Sequence, residues 1–538
     1  MSLWSSTRNG LALYRALSSF LRTPWDPVQA EAVVRRRLDD RQERFLQVVR
    51  TAIYDRPDSP YLALLKEAGC GFGDLAGLVK SAGIEGALQH LSRSGVYMTL
   101  DEFKGTVPIR RFGREFSTPA AAFDNPLLGP HYVARTGGTR SPGMPILISL
   151  DSLAEQSSAL ALAVHAWRVG PAGVAQWFPT YPGTGLNNVL RFAKIGIRLS
   201  RWFTQVDPRH YHLSFKNRLF TQLVFHAGAR AGMPIPRPEV VPLSEADRVA
   251  RWIAETRRQG LTPAMRTYVS SAVRIAEIAQ AQGLDIRGAR LFVVGESLTR
   301  SKRQAITAAG ARPIPDYAIT EAGLVALGCL EETRDDRVHL LTDLHALITR
   351  QRPIHRDGDA VESFLLTSLS PHAPKILLNV EVGDCGAVEA AQCGCVLHRA
   401  GLATVLREIY SFEKLTSEGM TLSGTDFIEI VEGVFPALFG GTPVDYQIVE
   451  EEDARGFTRL SILVSPQVGK VEPRAVIEAF LGELHRRRPK SSMAEIWRQA
   501  GTMRVLREAP RLTRGGKLFP FYALGSGRAH PREPARSV

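Results

Sequence analysis

The sequence predicts an α/β protein, with a large N-terminal domain built on a substantial sheet and a smaller α+β domain after it. Three observations carry this. The chain has 538 residues, and at about 100–200 residues per domain that favours several cores. Between about residues 106 and 404, short β-rich runs alternate with helix-like stretches, which argues for an α/β core. After about residue 411 the order becomes helix, strand, strand, helix, strand, a unit of about a hundred residues and large enough for its own core.

Taken in order, residues 1–105 read mostly as helices. The first stretch is amphipathic, with Leu11, Leu13, Leu17 and Leu21 spaced by polar residues. It lacks the apolar run and cleavage site of a signal peptide, and packing on the next helix is expected. Residues 30–54 carry apolar positions at helical spacing until Pro57 and Pro60 stop them. Residues 145–150, 290–294, 363–369 and 376–380 read as strands, and 266–282 and 301–310 as helices. The most apolar stretch, 159–169, is broken by His165 and Arg168. A transmembrane span needs about 20 apolar residues, so no such segment is expected. Beyond 411 come a helix at 426–435, strands at 445–450 and 460–464, a helix at 474–487 and a strand at 502–507. The acidic turn Glu450 to Gly456 suits a solvated hairpin tip. The expected domains are 1–410, with a helical part at 1–105, then 411–525, then a disordered tail at 526–538.

Composition narrows the function classes. Apolar residues make up 44% and charged residues 22%, which excludes a disordered chain or a coiled coil. The net charge is +13, but the basic residues are scattered, with short clusters only at 35–37 and 486–488. That reads as a generally basic surface and not a nucleic-acid groove, so no specific nucleic acid is expected. Five cysteines make no disulfide framework, which points to a reducing, cytoplasmic setting.

Four segments carry the chemistry. Arg135-Thr136-Gly137-Gly138-Thr139-Arg140-Ser141-Pro142-Gly143 lies between two strand-like runs. Glycines bring backbone N–H groups to a ligand, and Thr and Arg add donors for phosphate. No Gly-Lys-Ser/Thr closes it, so it is not the Walker pattern. Asp316 to Gly323 groups Tyr317, Thr320 and Glu321: an aromatic for a purine, a hydroxyl for a phosphate, a carboxylate for Mg²⁺. Val382-Gly383-Asp384 follows an apolar run, and a carboxylate at a strand end commonly takes a ribose diol. Near the C-terminus, Arg514-Gly515-Gly516-Lys517 projects a lysine that could stabilise charge at an anionic reacting centre. Each segment alone has a plainer reading: a glycine-rich turn, a loop leading into a capped helix, an Asp turn, a basic tail.

Together, their order and rough spacing resemble the adenylate-forming superfamily, which includes acyl-CoA synthetases, peptide-synthetase adenylation domains and luciferases. The chain looks most like the phenylacetate–CoA ligase branch, with acyl-protein synthetases as neighbours, over about residues 40–525. The resemblance implies a large multi-sheet N-terminal domain and a small mobile C-terminal one. It implies ATP held by Thr136, Gly137, Gly138, Thr139 and Arg140 at the phosphates, by Gly295, Glu296 and Ser297 beside the adenine, and by Tyr317 and Asp384. Lys517, Thr320 and Glu321 are the implied catalytic residues, Glu321 also holding Mg²⁺. The implied reaction turns a carboxylic acid into an acyl-adenylate with release of pyrophosphate. A thiol of CoA, or of a carrier or other protein, then takes the acyl group. A homodimer is a further expectation.

The chain departs from the family pattern in places. Arg140 stands where Gly is usual, Ser141 where Lys is usual, and Ala318 where Gly is usual. Ser411-Phe412-Glu413-Lys414-Leu415 stands where the family has its Gly-Arg-x-Asp-Asp hinge. These changes bear more on acyl transfer than on adenylation. They keep two alternatives open: an acyl-protein synthetase that ignores CoA, and a degenerate fold serving as a binding subunit. Cys329, His339, Cys393 and Cys395 offer three thiolates and an imidazole, a closed tetrahedral set for structural Zn²⁺, and similar residues recur in relatives of the branch. Cys70 and Cys385 read as packed. Residues 167–225 are rich in aromatics, Trp177, Phe178, Tyr181 and Trp202 among them, which suit either an acyl pocket or plain core. His210 and His212 read as surface or packing residues.

Overall fold

The computed structural model describes residues 3–135, 144–170, 172–181, 183–205, 215–331, 336–353, 360–411, 414–417, 420–423, 429–453, 455–487, 493–511 and 521–522. The first helix, Leu3–Arg22, lays Leu13, Leu17, Phe20 and Leu21 into the main core. It packs chiefly on Phe215–Arg230, Leu150–Ala166 and Gly185–Lys194, where packing on the next helix was expected. The next helix, Pro27–Asp39, turns Ala30 and Val34 inward and packs on Leu150–Ala166 itself, so the two helices share a partner. Asp26 caps it by accepting from the Val28 and Gln29 N–H groups, with Pro27 in the first turn. The single helix expected over 30–54 is divided into Pro27–Asp39, Arg41–Val49 and a wide turn, Arg50–Tyr54.

Among the described residues, one twelve-stranded sheet carries the large part of the chain. One half is parallel: Pro238–Val240, Arg201–Thr204, Val174–Trp177, Ala264–Tyr268, Arg290–Val294 and the first part of Arg312–Ile319. Parallel neighbours need crossovers, and helices such as Val269–Ala281 and Arg300–Ala308 supply them. From Arg312–Ile319 onward the sheet is antiparallel, through Gly323–Gly328, Val338–Leu340, Thr404–Ser411, Val380–Ala390, Ala360–Ser368 and His345–Pro353. The segment at 312–323 is therefore where the sheet changes character.

The expected runs at 145–150, 290–294, 363–369 and 301–310 appear as Pro145–Ser149, Arg290–Val294, Ala360–Ser368 and Arg300–Ala308. Two others differ. Residues 266–282 begin as the strand Ala264–Tyr268, all of it buried, before the helix starts at Val269. Residues 376–378 are apolar and, like Asn379, buried, but the four form no strand. Asn379 sits at φ 51°, and its amide N–H₂ donates to the Leu88 and Val96 carbonyls. That conformation ends an extended run, so the strand starts at Val380.

The C-terminal sheet has the order Met503–Leu506, Thr458–Val464, Tyr446–Glu452, Phe521–Tyr522, backed by Pro473–Arg487 and Met493–Ala500. Of the helix expected at 426–435, the described part is the turn Ile430–Val434, which runs on into Phe435–Phe439. Its apolar side chains, Phe435, Tyr446, Phe480 and Trp497 among them, join one cluster with Met265, Val273 and Leu291 of the large sheet and its helices. The tip expected to be solvated over 450–456 is partly so: Arg455 is exposed although it pairs with Glu277 of Val269–Ala281, and Glu450 to Asp453 are half-buried, while Gly456 and the following Phe457 are buried. The tail at 526–538 lies outside the described residues. No described helix is long and apolar enough to cross a membrane.

His345 begins the edge strand with its ring buried; Nε2–H donates to the Leu324 carbonyl at 3.1 Å. Burial holds its pKa down at about 4, against the usual 6.5. The unfolded chain binds the proton first, so stability falls as pH drops from 6.5 towards 4 and levels off below. This one group accounts for about 3 kcal/mol of that loss. Urea unfolding of wild type and His345→Gln at pH 7 and pH 4.5 measures it. The variant is expected to lose less stability across that interval than the wild type.

Candidate active site

The turn at 320–322 joins the strands Arg312–Ile319 and Gly323–Gly328, and is no loop into a helix. Its closure is local: the Ala322 N–H donates to the Ile319 carbonyl at 3.2 Å, and Gly323 sits at φ 83°. A Cβ at Gly323 would run into the Gln156 amide, so this turn requires glycine both for conformation and for space. Thr320 and Glu321 are half-buried on the turn.

Tyr317, three residues earlier, donates its hydroxyl to Asp384 Oδ2 at 2.8 Å, and the Ser411 hydroxyl donates to Asp384 Oδ1. Burial pushes the Tyr317 phenol well above its ordinary range; the Asp384 charge adds to this, with a smaller part from Glu321. Tyr317, Glu321 and Asp384 thus share one electrostatic site. Asp384 lies inside Val380–Ala390, not at a strand end, just after Gly383 at φ 73°.

Residues 295–297 follow Arg290–Val294 and meet the same place from the other side. Ser297 donates to the Ile409 carbonyl at 2.8 Å, two residues before Ser411. The Glu296 carboxylate is enclosed by the Ser270 hydroxyl and the Lys302 ammonium, with 2% of its side chain exposed. Thr136, Gly137, Gly138, Thr139 and Arg140 lie outside the described residues, between the paired strands His131–Arg135 and Pro145–Ser149. Lys517, His210 and His212 also lie outside the described residues. Of the aromatics, Trp177 and Trp202 are buried and donate their indole N–H to the Val241 and Phe178 carbonyls, as core residues do.

Sequence reading missed a buried polar group under the turn. Gln156 Oε1 accepts from Arg191 at 2.6 Å (Nη2) and 3.1 Å (Nε), and from the Leu324 N–H at 3.0 Å. Asn188 Oδ1 accepts from both Arg191 and Arg266, and Arg266 pairs with Asp316, the residue before Tyr317. Burial pulls the Arg191 guanidinium down to about 10, with Arg266 adding to it. Unpaired buried polar groups are costly, so this network holds the turn in one geometry. Its members are scattered over 160 positions of sequence with no shared motif; only the run of buried polar residues on Gly185–Lys194 hints at it.

Cys329, His339, Cys393 and Cys395 converge, their ligand atoms within 4.8 Å of one another. His339 Nε2 is 3.4 Å from the Cys393 sulfur and 3.3 Å from the Cys395 sulfur. His339 Nδ1 lies 2.8 Å from the Leu402 carbonyl; Nδ1 therefore carries the proton, and Nε2 faces the thiols with a lone pair. Three sulfurs and one nitrogen fit a closed tetrahedral cation site. Cys385 is buried and Cys70 half-buried, both outside this cluster.

No family model matches the sequence, and no curated protein matches it. Solved structures do. A 2-hydroxyisobutyryl-CoA ligase, in complex with 2-HIB-AMP and CoA in the thioesterification state, matches with a TM-score of 0.55 and 16% identity, covering 91% of this chain and 90% of that one. The chain shares the fold of that ligase. The same ligase in its postadenylation state, in complex with R3-HIB-AMP, matches at a TM-score of 0.45 and 14% identity, over 91% and 90% of the two chains. A malonyl-CoA ligase ternary product complex with methylmalonyl-CoA and AMP matches at 0.41 and 17%, over 70% and 71%. Within this fold, the hairpin carrying Tyr317, Thr320 and Glu321 sits at the parallel-to-antiparallel change of the twelve-stranded sheet, with Tyr317 bonded to Asp384.

Proposed function

We propose that the protein is an AMP-forming acid–thiol ligase of the phenylacetate–CoA ligase type. The observation that carries the reading is the hydrogen bond between Tyr317 and Asp384, 67 residues apart in sequence. It brings together two segments that resemble the family's nucleotide motifs, and Ser297 reaches the same strand as Ser411. Those contacts, together with the adenylate-forming fold, support a nucleotide laid across the hairpin.

In this reading Asp384 accepts the ribose hydroxyls, exchanging the Tyr317 and Ser411 hydroxyls for those of the ligand. The Tyr317 ring lies beside the base, and Thr320 donates to a phosphate. Glu321 is the carboxylate that would hold Mg²⁺, which supplies neutralising charge for the phosphates. A carboxylate oxygen of the substrate attacks the α-phosphorus as the bond to the pyrophosphate oxygen breaks, giving acyl-AMP. Lys517 stabilises the charge of that transition state; positioning and electrostatics do most of the work. A thiol sulfur then attacks the acyl carbon, loses its proton, and AMP leaves. The substituted hinge at 411–415 favours a second reading in which the acceptor is a protein thiol and not CoA.

Pyrophosphate release across fatty, aryl and amino acids, each with CoA, with a carrier protein, or with neither, tests both. Release with at least one acid class is expected, and Lys517→Ala should abolish carboxylate-dependent pyrophosphate exchange without a change in thermal midpoint. No release with any acid would remove the ligase reading and favour a binding subunit.

The cysteine–histidine cluster is read as a structural Zn²⁺ site. Metal analysis of the purified protein is expected to find about one zinc per chain, lost in Cys393→Ser/Cys395→Ser with a lower melting temperature. Metal-free protein with an unchanged melting curve after chelation would contradict it.

A further inference from the structure

We infer that Lys302 is a positioning residue that ties residues 295–297 to the C-terminal sheet. The inference rests on the reading above only in treating 295–297 as the adenine side.

Lys302 lies in the first turn of Arg300–Ala308, and its side chain is 1% exposed. A buried ammonium has three donors to satisfy and no water to satisfy them. Here the partners come from two parts of the chain. Glu296 Oε2 is 3.5 Å away and the Ser297 carbonyl 3.5 Å away, both in the segment after Arg290–Val294. The third partner is Thr458 Oγ1 at 2.8 Å, at the start of Thr458–Val464 in the C-terminal sheet. Lys302 thus bridges the enclosed Glu296 carboxylate and that sheet.

The surroundings are built for the same contact. Thr299 caps the helix by accepting from the Lys302 N–H, and its hydroxyl also donates to Glu452 of Tyr446–Glu452. Gly456 lies at φ 83°, where a Cβ would come within 3.3 Å of the Lys302 backbone, so the hairpin tip seats directly on the helix start. Arg455 pairs with Glu277, and the Arg274 guanidinium stacks over buried Phe457 at 4.9 Å. If the C-terminal sheet moves away, Lys302 loses Thr458, and the carboxylate–ammonium pair is left under-satisfied. The order of residues 295–297 is thereby linked to the seating of the hairpin tip.

Thr458→Val removes the hydroxyl at nearly constant volume, and Thr458→Ser keeps it. Hydrogen–deuterium exchange of the ligand-free full chain reads the tie without any assumption about catalysis. Thr458→Val is expected to raise exchange at least threefold both in peptides covering 453–457 and in peptides covering 295–297, with Thr458→Ser matching wild type. Raised exchange at 453–457 alone, no change at either segment, or failure of Thr458→Ser to restore protection would overturn the inference. In the pyrophosphate assay, Thr458→Val should raise the KM for ATP about threefold or more while kcat stays within about twofold, because the loosened segment is the one read as the adenine side; an unchanged KM also overturns it. An inactive wild type would count against the functional reading, and the exchange result alone would then decide the tie.

Discussion

Asp384 is the constraint on which the site depends. Its carboxylate is buried, and a buried charge persists only where donors meet it. Two do: Tyr317 from the strand that turns the sheet from parallel to antiparallel, and Ser411 from the last strand before the C-terminal unit. Three strands far apart in sequence are therefore locked to one pair of oxygens. Each Asp384 oxygen thus accepts from a hydroxyl, and in the proposed reading the ribose diol takes the place of these two.

The support for this point is distributed. Gln156, Asn188, Arg191, Arg266 and Asp316 hold the turn from below, and Lys302 holds the neighbouring segment from the side of the C-terminal sheet. Low dielectric makes each partner matter more than it would at the surface. One result is a turn that cannot relax independently of the sheet under it.

Much of the site was legible in sequence because its chemistry demands particular residue types in a short stretch. Tyr317, Thr320 and Glu321 stand within five positions, and Cys393 and Cys395 within three. The α/β alternation and the C-terminal strand–strand–helix order were legible for the same local reason. What was not legible depends on distance. Ser411 faces Asp384 only because two strands pair in that register. Lys302 belongs to a polar helix that reads as solvent-exposed until a hairpin 150 residues later covers it. Residues 376–379 look like a strand by side chain, and only the backbone of Asn379 says otherwise. The turn at 450–456 reads as solvated by its charges, yet Phe457 just after it is buried, with the Arg274, Arg455 and Arg459 guanidinium groups over its ring.

Calorimetric titration of AMP into the wild type, Asp384→Asn and Tyr317→Phe addresses the central claim most directly. Hydrogen bonds to a charged group are worth about 1.5–3 kcal/mol. Asp384→Asn is therefore expected to weaken AMP at least tenfold, while Tyr317→Phe stays close to the wild type, because the ligand displaces the Tyr317 hydroxyl. Equal affinity for all three proteins, or a wild type that takes up no AMP at all, would contradict the account.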